Sequence, residues 1–226
     1  MWDWGSVAHL TGPKGNVIMK IAWIALAGLL ALSGGPAVGA PNLVVSKDAP
    51  ALTLRIDPHF TELKPLRFPI EDLTNAERRI FLEAGRDRMV DRMVVVQFEK
   101  VRPGSEFRFR YPSAPPRRFG AETYRFGTFA YDDAAAARAK PDKEPGQTRA
   151  WLKAAGYKSP RLYRVARLAR VSDPQGLSEV IIFYLENADA DPPTGQRDED
   201  GDWVLAPAEK AAITRRMEAA VRVVRG

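Results

Sequence analysis

The chain has no cysteine and, in 226 residues, only two histidines, His9 and His59. The first absence excludes disulfides, cysteine metal sites, thiol nucleophiles and a lipoprotein anchor together. The second leaves zinc without its usual ligand set. It also makes Ser-His-Asp catalysis depend on His59, which sits alone in "DPHF" beside a proline break. There is no G-x-S-x-G elbow and no phosphate-cradling glycine loop, since the glycines are scattered through turns. Paired carboxylates stay open as a catalytic device, because two carboxylates that meet only in space leave no linear mark.

Long hydrophobic runs are also missing. The apolar stretch Ile21–Leu32 covers 12 residues, short of the ~20 that span a bilayer as a helix. It lies in "MKIAWIALAGLLALSGGPAVGA", where Lys20 precedes the run and small residues follow it to Ala40. That order is a secretory signal peptide. Val38 and Ala40 suit the −3 and −1 cleavage positions, with Ala37 or Gly39 as other last leader residues. Residues 1–18 have no place in such a leader, so Met19 is the expected start. The expected location is periplasmic or secreted; the rival is an uncleaved anchor in the inner membrane. This divides the chain into residues 1–40 (extension plus leader), 41–50 (flexible lead-in) and 51–226 (one domain), with no transmembrane segment in the mature part.

What is present is ordinary for a globular domain: 45% hydrophobic and 27% charged residues. The net charge of +6 is mostly arginine, in a chain also rich in Ala, Pro and Gly. It reads first as a GC-rich coding bias, which requires no anionic partner.

"ALTLRI" (51–56) alternates as a strand, and the two prolines of 61–70 mark an extended connection. Thr74 and Glu77 form an S/T-x-x-E capping box, which predicts a helix from Asn75 with Ile80, Phe81 and Ala84 on one side and a stop at Gly85. "RMVVVQFEKV" (92–101) is a strand, "FRFRY" (107–111) its hairpin partner, and "ETYRFGTFAYD" (122–132) a third strand. Asp132 or Asp133 caps an alanine-rich helix that is broken by "PDKEPGQ", resumes near Thr148 and stops at Gly156. "RLYRVARLARV" (161–171) suits a strand better than a helix, and Val180–Leu185, apolar on both faces, suits a central strand. A last helix opens at Pro207, with Ile213, Met217, Val221 and Val224 on one stripe. The sum is an α+β domain with a five- to six-stranded, mainly antiparallel sheet of hairpins, helices packed on it and an amphipathic C-terminal helix. In topology alone this resembles the α/β/α sandwich of the photosystem II extrinsic proteins, a likeness that carries no motif and implies no residue role.

Two stretches are candidates for binding. In 107–126 the arginines Arg108, Arg110, Arg117, Arg118 and Arg125 could gather around an anion, with Phe119 beside them on the stiff loop "SAPPRRFG". Nucleic acid is not the expected partner, because strand alternation puts the aromatics of "FRFRY" opposite its arginines. In "DEDGDWVLAPAE", Asp198, Asp200, Asp202 and Glu209 occupy positions 1, 3, 5 and 12 of a calcium loop, but position 6 is Trp203 where a glycine belongs. Arg161, Arg164, Arg167 and Arg170 would form a basic stripe only on a helix.

No cofactor is implied. The expected role is an exported bacterial binding or envelope-assembly module contacting a protein or an anionic envelope ligand. Two alternatives stand beside it: a carboxylate- or Arg/Tyr-based hydrolase, and a membrane-surface protein that binds anionic lipid.

Overall fold

A computed structural model describes residues 42–46, 51–111 and 114–225. The expected leader therefore lies outside the described residues, and so do residues 47–50 and 112–113 of the two loops. The fold is α+β, with antiparallel strand pairing throughout. In chain order the elements are β1 (Asn42–Ser46), β2 (Leu52–Ile56), β3 (Thr61–Glu62), β4 (Leu66–Ile70), β5 (Thr74–Ala84), β6 (Val90–Val101), β7 (Pro116–Phe119), β8 (Glu122–Asp132), α1 (Asp133–Ala139), α2 (Glu144–Ala154), β9 (Leu162–Val171), β10 (Ser178–Asn187), α3 (Pro207–Ala220) and β11 (Val221–Arg225).

The main sheet is larger than expected. It has eight strands in the order β3-β5-β6-β10-β9-β8-β7, with β4 also pairing β5. A second sheet, β1-β2-β11, joins the two ends of the described chain. Val44, Leu54 and Ile56 of this terminal sheet are fully buried, and they form one cluster with Phe81, Val94, Val96, Val180 and Ile182 of the main sheet. Ile213 and Met217 of α3 complete that layer. The opposite face of the main sheet is covered by α1 and α2, whose Leu152 joins Ile80, Leu82, Met93, Val95, Tyr163 and Phe183. Residues 180–185 are all buried, which confirms β10 as the central strand.

Three expectations are corrected. Residues 74–84 form strand β5, not a helix: Thr74, Ala76, Arg78, Ile80 and Leu82 are buried on one face, and the strand pairs with β4 and β6. The "FRFRY" segment is not the hairpin partner of β6, because β5 and β10 already occupy both edges of that strand. Its alternation nevertheless holds: Phe109 is buried while Arg108 and Arg110 are exposed, and the Phe109 N–H donates to the Gly176 carbonyl at 2.9 Å. The last helix ends at Ala220, and Val221 and Val224 lie in β11. Asp132 does cap α1, accepting the Ala135 N–H at 2.8 Å. Among the described residues no helix is long and apolar enough to cross a membrane.

Candidate functional site

The loop carrying Arg117, Arg118 and Phe119 folds back as β7 and clips the terminal sheet to the main one. Phe119 is buried against Tyr124, with ring centroids 6.0 Å apart. Arg117 pairs with Glu218 of α3 at 2.5 Å and lies over the Phe126 ring. Arg118 and Arg125 reach backbone carbonyls, those of Ala121 at 3.5 Å and Ala114 at 2.9 Å. Arg108 likewise donates to the carbonyls of Ser105 and Phe107. A carbonyl satisfies a donor without cancelling the charge, whereas Arg117 meets a carboxylate among the described residues. Arg108, Arg117, Arg118 and Arg125 thus each engage a different partner, and Arg110 is exposed.

Asp198, Asp200 and Asp202 form a tight turn in which Asp198 Oδ1 accepts the N–H groups of Asp200 and Asp202, each at 3.0 Å. Glu209 is engaged elsewhere. It accepts the Ala206 N–H at 3.0 Å, at the start of α3, and binds Arg164 at 3.1 Å. Among the described residues no group of three His, Cys, Asp or Glu side chains could hold a metal.

The spatial carboxylate pairing that a linear sequence hides is present. Glu99 on β6 and Glu179 on β10 stand directly opposite each other in register, 8% and 2% exposed. Gln97 donates to Glu99 at 2.5 Å and to Glu144 at 2.8 Å, while Thr74 donates to Glu99 at 3.1 Å. Arg78 ties Gln97 at 2.6 Å and Glu144 at 2.5 Å into the same network, and Tyr111 donates to Glu179. Burial, reinforced by Glu144, pushes the Glu99 carboxyl up to about 7. Burial, reinforced by Glu99, pushes Glu179 up to about 8. Two neighbouring carboxylates in a dry site resist ionising together. At neutral pH this pair therefore holds a proton.

Two surface features border the core. At the edge of β8, a cavity of about 140 Å³ is lined by Arg125, Arg167, Lys210, Asp198, Asp202 and Trp203, with Gly127, Thr128 and Phe129 along the strand itself. The second is the outer face of the terminal sheet. Arg55 and Arg222 are register partners there and both are exposed. Leu43, at 43% exposure, pairs with Arg55; Val45 is 54% exposed and Val224 47%. Beside β1, a groove of about 680 Å³ runs past Val45 and Ser46 to Arg67, Glu77, Arg79, Glu99 and Lys100, with Arg67 paired to Glu77 and Arg79 to Glu62.

Compared with known protein families, curated proteins and solved structures, the chain matches none.

Proposed function

We propose that the protein is an exported, non-catalytic module that docks on an anionic lipid surface through the outer face of its terminal sheet. Charge segregation carries this reading: β1, β2 and β11 contain Arg55, Arg222 and Arg225 and not one acidic residue. Like charges directly opposite on neighbouring strands destabilise a sheet, and Arg55 and Arg222 are so placed. An external anion offsets that repulsion. Exposed Leu43, Val45 and Val224 lie among these arginines. Guanidinium with aliphatic side chains suits a headgroup layer, where phosphates meet the charge and acyl chains meet the methyl groups.

The hairpin turn at Gly120 packs against Val223 of β11, and Arg118, two residues earlier, is exposed. The sequence before Asn42 supports the same reading. Ten residue steps separate Leu32, the end of the apolar run, from Asn42, a reach of about 35 Å at most. An anchor left uncleaved would hold the terminal sheet near the bilayer, and a cleaved chain would bind through the sheet alone.

Co-sedimentation of the chain from Pro41 onward tests this, with phosphatidylglycerol-containing vesicles set against pure phosphatidylcholine. Binding is expected on the anionic vesicles only and should fall with salt, since the screening length shrinks from ~10 Å at 0.1 M to ~3 Å at 1 M. Equal binding to both vesicles, or none to the anionic ones, overturns the proposal.

A further inference from the structure

We infer that β1 pairs edge to edge with β1 of a second copy of the chain, antiparallel and centred on Val44. Two three-stranded terminal sheets then become one sheet of six strands. An unpaired strand edge invites another strand, and folded chains blunt such edges with proline, charge, a bulge or very short length. The strands that end the two sheets divide on this point. β7 carries Pro116, Arg117 and Arg118, β4 carries Arg67 and Pro69, and β3 is two residues long with Glu62. β11 carries Arg222 and Arg225, shifts register between Val223 and Arg225, and has the Gly120 turn packed against it. β1 has none of these devices. It reads NLVVS, with no charge, no proline and an unbroken register with β2. Its other edge meets no strand among the described residues, and the groove of about 680 Å³ opens beside it.

The side chains of β1 select a second copy because they complement themselves. In the register about Val44, Leu43 stands opposite the partner's Val45, and Asn42 opposite the partner's Ser46. Leu43 and Val45 lie on the outer face, 43% and 54% exposed, while Val44 is buried on the inner one. The two Leu–Val pairs cover apolar surface that a single copy leaves in water, and directly opposed aliphatic side chains stabilise antiparallel strands. No like charges meet, and polar residues pair at both ends of the ladder. A two-fold contact of this kind closes on itself, and the guarded β11 edges at the outside of the six strands prevent further addition. A ladder of five residues is short beside interfaces that bury ~1,200–2,000 Å², so the pairing is expected to be reversible and concentration-dependent. It would also set Arg55 and Arg222 of both copies on one outer face, which strengthens the proposed docking through two-fold attachment.

The chain from Pro41 onward holds every described element and serves for the test. Its lack of cysteine makes cross-linking site-specific. Leu43→Cys and Val45→Cys proteins are oxidised separately and as a mixture. Opposed residues of an antiparallel pair have Cα atoms ~4.5–5.5 Å apart, within disulfide reach. The two copies of either single position lie on a diagonal of ~7–8 Å, beyond it. The mixture should therefore form disulfide-linked dimer roughly tenfold faster or more than either variant alone. Sedimentation velocity of the parent should show monomer giving way to dimer as concentration rises. The Leu43→Lys/Val45→Lys variant sets like charges opposite one another at exposed positions, and it should stay monomeric with the parent's Tm. A parent that is monomeric at every concentration, a mixture that cross-links no faster than the single variants, or a lysine variant that associates like the parent overturns the inference. No lipid enters these measurements, so their failure and the failure of the docking face are separate results.

Discussion

Glu99 and Glu179 are two buried carboxyls that face each other across β6 and β10. Their carboxyls lie at about 7 and about 8 in the folded protein, against an ordinary 4.5, and as neighbours they titrate as a pair. Between those limits the folded state binds protons that the unfolded chain has released, so stability falls as pH rises and levels off once the pair is ionised. From about pH 5 to about pH 8 the expected loss is on the order of a few kcal/mol. Glu179→Gln removes one charge while keeping the Tyr111 contact, so urea unfolding of that variant should show a flatter pH profile and greater stability than the parent near pH 8. A profile as steep as the parent's contradicts this account. Gly120 is a different kind of constraint. Its φ is +64°, and a Cβ there would lie 2.6 Å from Val223 Cβ. Gly120→Ala should cost about 1–3 kcal/mol through backbone strain and overpacking, read as a lowered Tm; an unchanged Tm would mean that the β7–β8 clip does not press on β11.

At the scale of elements, what the sequence disclosed depended on whether buried positions were apolar. β8, β9 and β10 were legible because Tyr, Val, Leu and Ile fill their inward positions. β5 was not. Its inward face includes Thr74 and Arg78, 2% and 5% exposed, and these break the apolar alternation that marks a strand. Ala76, Glu77, Arg78 and Arg79 are also good helix formers, and pairing on both edges overrides that weak local preference. The same two polar residues belong to the carboxylate network, so one cause hid both the strand and the site beside it. β11 was read as helix because Val221 and Val224 continue the spacing of Ile213 and Met217, whereas β-branched valines favour a strand once β2 offers an edge. Truncation after Ala220 would uncover Leu54 and Ile56, both 0% exposed. It should abolish cooperative thermal unfolding or lower the Tm by more than 10 °C, on the order of 2–5 kcal/mol for lost burial. A truncated chain with the parent's Tm would show that β11 is dispensable to the core.

Over the whole molecule, the positive charge that reads as compositional bias in the sequence acquires a direction in the fold. Many arginines are consumed internally: Arg78 by Glu144, Arg92 by Glu83, Arg164 by Asp191 and Glu209, Arg216 by Glu186. Arg55 and Arg222 have no such partner among the described residues, and they share a sheet with exposed aliphatic side chains. That pairing of strands from opposite ends of the chain could not be read from either end alone. Flotation of the Arg55→Glu/Arg222→Glu variant with phosphatidylglycerol vesicles tests the docking face most directly. Both positions are exposed, so the variant should keep the parent's Tm and lose vesicle binding by roughly tenfold or more, at about 1 kcal/mol per basic group removed and further repulsion from each glutamate. A variant that folds and floats as well as the parent would contradict the assignment of the terminal sheet as the membrane-facing surface.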